Sequence, residues 1–395
     1  MPTPPENMKL FILLPRVPFP LEKGDKLRAF HQIRHLSKHC EIHLCCLNEG
    51  KVAKGAAEAL KPYVKSIHIL KLSRIGIYWN TLKAFFRGQP LQIGYFYSCR
   101  CKAQVRKLIE EIKPDHVYAQ LIRVAEYVSD LPVPKTLDYQ DVFSTGYARQ
   151  ADHAKGLRRR VFRREARLLK RYEREVFKNF DHHTIISLPD REAIDHPEKG
   201  SIHIIHNGVD TEYFSKRNSL PDTDILFTGN MNYPPNILGA EYLVNEILPV
   251  IRKTRPAVSV MIAGAHPSEK VKRLASDQVT VTGWIPDIRD AYAGARVFIA
   301  PMSIGTGLQN KLLEAMAMGL PCITSPLVNA ALGAAPGREI LIGENPEDYA
   351  EAVLKLLNQP AEAENIAAAG LEFVRTHYSW EKETARLLDI IRSPR

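Results

Sequence analysis

Cysteine is scarce. The six thiols (Cys40, Cys45, Cys46, Cys99, Cys101, Cys322) form no CxxC pair and have no histidine at zinc spacing, which speaks against a disulfide framework or a zinc site and for reduced thiols. Long apolar runs are also missing: nothing approaches the roughly 18–20 residues that cross a bilayer. The burst Leu10–Leu14 runs into Pro15, Pro18 and Pro20 rather than a cleavage site, so a secretory signal is not expected and the expected location is the cytoplasm. Glycine (22) and proline (27) are modest in 395 residues that are 45% hydrophobic and 25% charged, which excludes collagen-like architecture and wholesale disorder. At roughly 100–200 residues per domain the length predicts two or three domains.

Positive charge is what is abundant. The formal net charge is +10, and residues 1–215 hold 36 Lys+Arg against 24 Asp+Glu, whereas the remainder holds 18 against 20. An anionic surface is therefore expected to meet the first half. Much of the excess lies in Lys155–Lys178, where Arg158, Arg159, Arg163 and Arg167 flank apolar positions at helical spacing (Val161, Ala166, Leu169, Tyr172, Val176). That pattern predicts one amphipathic helix with a basic outer face, either simply solvated or resting on an anionic membrane surface. No zinc-finger, RNP or KH signature accompanies it, so a nucleic-acid partner is not expected.

Short β-branched runs alternate with helical stretches along the whole chain. Strands are expected at Met8–Leu14, Ile42–Leu47, Ser66–Leu72, His116–Gln120, Thr136–Tyr139, Thr184–Ser187 and Ile202–His206, then at Asp224–Thr228, Val258–Ala263, Val279–Thr282, Val297–Ala300, Cys322–Thr324 and Ile340–Ile342. Apolar strands separated by helices mark parallel sheets covered on both faces. The expectation is an α/β protein of two Rossmann-like, doubly wound domains facing each other across a cleft, with boundaries at 1–215 and 222–376. The stretch Ser215–Pro221 would be the linker, and a last helix within 377–395 would pack back across it.

The most informative stretch is Val297–Ser325, VFIAPMSIGTGLQNKLLEAMAMGLPCITS. A strand, a loop with Gly305 and Gly307, and a helix from about Leu308 to Met318 should leave the amides of Gly307, Leu308 and Gln309 free for a diphosphate. Lys311 can add a point charge, and Glu314, on the same helical face, can accept two hydrogen bonds from a ribose diol. The same glycines could equally serve only a tight turn, and Lys311 with Glu314 only a solvated ion pair.

GLQNKLLEAMAMGLPCITS resembles the signature helix of retaining glycosyltransferases of family 4, which have the two-Rossmann GT-B fold. PRVPFPLEKGDKLRAFHQIRHLSKHCEIHLCCL, IHNGVDTEYF and FTGNMNYPPN, followed by VMIAG and VTGWIPDIRDAYAGARVFIAP, are similar to other segments of that family. The likeness covers nearly the whole chain and is nearest to a bacterial exopolysaccharide branch associated with the PEP-CTERM/exosortase system. It implies a sugar transferase that uses a nucleotide-sugar donor, a glycan or lipid-linked acceptor, no cofactor and no dedicated metal. By that resemblance Glu314 binds the ribose and the Gly307–Leu308 amides bind the diphosphate. Trp284 and Ile285 flank the base, and Gly24 lets the first-domain backbone approach the phosphates.

Four positions depart from the family. Thr306 stands where many members have a first glutamate, Asn230 and Asn236 replace an arginine and a lysine, and Gln120 falls near a first-domain histidine. Retention by same-face attack lets the leaving phosphate oxygen act as base, so Gln120 does not forbid chemistry. Asp138 and Asp141, after a strand, are candidates to orient or deprotonate an acceptor, with N-cap or turn carboxylates as the plainer reading; Arg123 is an acceptor contact or a solvated cation.

Asp222-Thr-Asp224 spells DxD but precedes a strand. His31, His35 and His39 read as a surface stripe, and His182-His183 as core or surface histidines. His206-Asn207-Gly208 reads as a turn in which Asn207 and Gly208 favour positive φ. A nucleotide-sugar epimerase on the same fold and a catalytically silent nucleotide- or membrane-binding protein are the competing functions.

Overall fold

Runs that are apolar on both faces can be buried only as interior parallel strands, and the chain folds accordingly. The computed structural model describes residues 8–217, 219–304 and 307–394. It divides into two compact units: residues up to His206 together with Trp380 onward, and Asn207–Ser379.

In the first unit, β1 (Met8–Leu14), β2 (Cys40–Asn48), β3 (Ser66–Lys71), β4 (His116–Gln120), β5 (Lys135–Asp138), β6 (His182–Ile185) and β7 (His203–Ile204) form one parallel sheet. Its order is β3-β2-β1-β4-β5-β6-β7. Alternate residues of β1 serve opposite faces. Phe11 and Leu13 pack with Val117 and Leu137, whereas Leu10, Ile12 and Leu14 pack with Ile33, Leu36, Leu387 and Ile391.

The last two of those residues lie on the helix Trp380–Arg392, which packs on the helix Gly24–Leu36. The terminal helix is thus part of the first unit. Trp380 stacks on His31 at 4.8 Å, so His31 is buried rather than part of a surface stripe.

The boundary also differs from the expected 215. Val209 bonds Tyr378 through its N–H and Asn207 donates to Asn310, so the segment from Asn207 folds with the second unit. Neither Asn207 nor Gly208 has positive φ; the conformation is set by these bonds and not by a tight turn.

The basic helix runs Gly156–Phe177 and buries Glu165, Leu169, Glu173, Val176 and Phe177. Its two buried carboxylates are helix caps: Glu165 accepts the amides of Leu91 and Gln92 at 2.9 Å each, and Glu173 accepts Ser144 N–H at 3.0 Å and its hydroxyl at 2.6 Å. Orphan N–H groups at helix starts make this a favourable place for a buried carboxylate. His183 stacks on Phe177 at 3.7 Å as a core histidine.

The second unit holds β8 (Thr223–Thr228), β9 (Val260–Ala263), β10 (Val279–Gly283), β11 (Ala295–Ala300), β12 (Cys322–Thr324) and β13 (Leu341–Ile342), all parallel, in the order β10-β9-β8-β11-β12-β13. Chain winding reverses between β1 and β4 in the first sheet and between β8 and β11 in the second. Sheets of this kind bind ligands outside the carboxyl ends of the strands at such a switch point.

Candidate active site

At the second switch point the backbone is stripped of side chains. Gly229 and Gly264 end β8 and β9 so closely that a Cβ on Gly264, at φ +140, would sit 1.8 Å from the Gly229 carbonyl oxygen. Only glycine fits there.

Two segments approach this floor, one after β8 and one after β11. The loop after β11 leads into the helix Asn310–Ala317, whose N-cap Gln309 makes no side-chain capping bond and instead donates from Nε2 to Gly307 O at 2.9 Å. Leu312 N–H already donates to the Gln309 carbonyl at 2.9 Å; the N–H groups that open a helix have no i−4 carbonyl inside it, which is what an anion needs. Gly305 and Thr306 lie outside the described residues.

Glu314 is one turn further along. Tyr292, fully buried, donates its hydroxyl to Glu314 Oε2 at 2.8 Å, and the same hydroxyl meets Thr228 Oγ1 at 2.9 Å. Burial pushes the Glu314 carboxyl up to about 7, against the Tyr292 hydrogen bond and the nearby Lys311 charge.

Lys311 is not an exposed point charge in the first turn. Its side chain is buried and its ammonium donates to Asn236 Oδ1 at 2.5 Å, 4.7 Å from the Phe227 ring centroid. Burial lowers its pKa from 10.5 to about 7, with Glu314 opposing. Asn236 in turn donates from Nδ2 to the Asn230 carbonyl at 2.9 Å. Asn230 and Asn236 are therefore joined to each other, and the lysine reaches Asn236 from the neighbouring helix. Trp284 is exposed just after Gly283, which takes φ +71 at the end of β10, and Ile285 packs against the apolar core. Tyr292 and Thr228 carried no sequence signal, since each reads as an ordinary core residue.

The first unit collects a separate cluster at the ends of β4 and β5. Gln120 is buried and donates to Asp25 O at 3.3 Å. Leu121 and Gln140 follow the two strands with φ of +67 and +62, a strained backbone for non-glycine residues of the kind found at functional sites. Arg123 is clamped by two bonds to Gln92 Oε1 (3.0 and 2.7 Å) and lies 4.8 and 4.6 Å from the Phe96 and Phe143 centroids. Asp141 is open to solvent but ringed by protein. Its carboxyl is pushed up to about 7 by desolvation and by the Asp190, Glu173 and Asp25 carboxylates, against Arg123. Gly24 is exposed at the start of its helix, beside a recess of about 490 Å³ lined by Arg16, Lys23, Lys26 and Glu49 among others.

Asp138 does not belong to this cluster. It is fully buried, paired with Arg28 Nε at 2.7 Å, and accepts the hydroxyls of Tyr118 (2.8 Å) and Thr184 (2.9 Å). With its acceptor capacity used inside the core it cannot reach an acceptor hydroxyl. Arg158, Arg159, Arg163 and Arg167 stand exposed on the basic helix, away from this core.

Residues 222–359 match the family described as Glycosyl transferases group 1. An uncharacterized 44.6 kDa protein in cps region of Klebsiella pneumoniae is 21% identical over 95% of this chain and 97% of its own. A GDP-mannose-dependent monoacylated alpha-(1-6)-phosphatidylinositol monomannoside mannosyltransferase of Corynebacterium glutamicum is 26% identical over 47% of this chain, a match that spans 55% of the mannosyltransferase.

Among solved structures, sucrose-phosphate synthase from Thermosynechococcus elongatus superposes with a TM-score of 0.71 at 15% identity, covering 97% of this chain and 98% of that one. Anabaena Alr3699/HepE, solved in complex with UDP and glucose, superposes with a TM-score of 0.69 at 12% identity, covering 98% of this chain and all of the other. The two parallel sheets are thus the GT-B architecture, and the chain is a glycosyltransferase that carries a glycosyl transferase group 1 domain over residues 222–359.

Proposed function

We propose that the enzyme is a retaining transferase of family 4, moving a sugar from a nucleoside-diphosphate sugar to a glycan or lipid-linked acceptor in bacterial polysaccharide synthesis. The observation that carries this reading is Glu314, held by Tyr292 one turn below an uncapped helix start and beside a glycine floor. That spacing suits a diphosphate on the amides of Gly307, Leu308 and Gln309 and a ribose diol on the carboxylate. Trp284 and Ile285 would border the base, and Lys311 would supply charge from beneath. The similar proteins point the same way: one similar structure holds UDP and glucose, one relative uses GDP-mannose, and another is a protein in cps region.

In this reading the acceptor hydroxyl attacks the anomeric carbon from the face that the leaving group occupies. The bond from that carbon to the phosphate oxygen breaks as the new glycosidic bond forms, and the acceptor proton passes to the departing phosphate oxygen. Asp141 and Gln120 orient the acceptor hydroxyl, with Arg123 as a further acceptor contact, and no dedicated metal takes part.

The test is incubation of the full chain with labelled UDP-glucose or GDP-mannose and a bacterial lipid extract in the presence of EDTA. The expected result is label in the lipid or glycan fraction with the donor's anomeric configuration. A product that is only an altered free nucleotide sugar would indicate an epimerase, and label that stays entirely in the donor a binding protein.

A further inference from the structure

The helix Arg74–Phe86 turns its apolar stripe outward. Ile75, Tyr78, Trp79, Leu82 and Phe86 recur at the spacing of one helical face. Yet Ile75 is 72%, Tyr78 66%, Trp79 53% and Phe86 77% exposed, while the residue this helix buries is Ala84. Surface residues of this size are normal singly; a continuous stripe of them marks an interaction site.

The stripe is continuous with the start of the basic helix. Arg164 lies 4.6 Å from the Phe85 ring centroid and donates to the Phe85 carbonyl at 2.7 Å. Leu157, 75% exposed, and Val161 precede Arg164 by seven and three positions and so share its face.

Charge selects the occupant. No Asp or Glu occurs between Glu58 and Glu110, and residues 72–90 and 153–164 together hold nine Lys and Arg and no carboxylate. Tyr and Trp, each an apolar ring with a polar tip, beside Arg side chains that can reach upward, suit the boundary between acyl chains and head groups. None of the described helices is long and apolar enough to cross a membrane, so attachment would be by one face.

We propose that the first unit docks on an anionic bilayer, with the Arg74–Phe86 helix lying in the interface and Arg158, Arg159, Arg160 and Arg163 over the head groups. This goes beyond sugar transfer and stands without it, since docking needs no donor.

The test is flotation of the full-length protein with vesicles of phosphatidylcholine containing phosphatidylglycerol, and with phosphatidylcholine alone. The protein should float with the first and not the second, and rising salt should release it. Partitioning should fall about fivefold for each arginine neutralised to Gln among Arg158, Arg159 and Arg163, and at least ~tenfold for Trp79→Ser with Phe86→Ser. Emission of Trp79, isolated as the difference from Trp79→Phe, should shift to the blue on vesicle addition. An unchanged circular dichroism spectrum and melting point of each variant verify the fold. Equal flotation with neutral vesicles, undiminished flotation of the double aromatic variant, or an unshifted Trp79 would overturn the proposal. Capture of an acidic protein in place of the anionic vesicles would do the same.

Discussion

Replacing Lys311 with Met should strengthen the fold while weakening donor binding. The ammonium is buried against neutral acceptors alone, Asn236 Oδ1 and the Met302 sulfur, and its pKa is lowered from 10.5 to about 7. A base whose folded pKa lies below its unfolded value destabilises the fold fully below the folded value. The loss then shrinks as pH rises toward the unfolded value. At about 1.4 kcal/mol per pH unit, the shift bounds the cost of keeping this charge at roughly 4–5 kcal/mol at or below pH 7. Glu314, without the nearby cation, would move higher still, so about 2 kcal/mol of net stabilisation is the expected gain, or a melting point higher by ~4–8 °C.

The advantage should fade between pH 7 and 10.5. Calorimetry at pH 7 should show the Kd for a nucleoside diphosphate rising at least ~tenfold, the scale of a lost charge-assisted contact. A buried charge held at a cost to stability is expected where function requires it. Should the Met variant melt lower than the parent at pH 7 and bind nucleotide unchanged, Lys311 is a core ion-pair partner and the reasoning fails.

Glu314→Ala should weaken nucleoside-diphosphate binding by at least ~100-fold, the worth of two charge-assisted hydrogen bonds, with Glu314→Gln intermediate by calorimetry. Activity should rise with pH through about 7 as Asp141 loses its proton. Asp141→Asn should flatten that profile and lower kcat while leaving the donor Kd alone. Asp138→Asn should cost about 3–5 kcal/mol in denaturant unfolding because it strands the buried Arg28 charge; a fully stable variant with a raised acceptor KM would restore Asp138 to the acceptor site.

The strand set was legible because periodicity and β-branching are local: β1, β4 and β12 have the expected bounds, and the basic helix ends within a residue of its expected limits. The loop–helix pattern before Asn310 was legible for the same reason. What the sequence hid are pairings between distant residues. Asp138 reads as a turn carboxylate until Arg28, 110 positions earlier, is seen against it. Lys311 reads as a surface charge until Asn236, 75 positions away, is found at its tip. The unit boundary moved because Asn207 and Val209 bond to residues far along the chain. An apolar stripe, finally, carries no mark of which side meets water, so the outward face of Arg74–Phe86 emerges only from the fold.

The most direct measurement is a crystal structure of the full-length protein grown with a nucleoside diphosphate. Diphosphate oxygens are expected within hydrogen-bond distance of the backbone N–H groups at 307–310, and ribose hydroxyls on the Glu314 carboxylate. A nucleotide bound elsewhere, with Glu314 still turned only to Tyr292, would contradict that expectation.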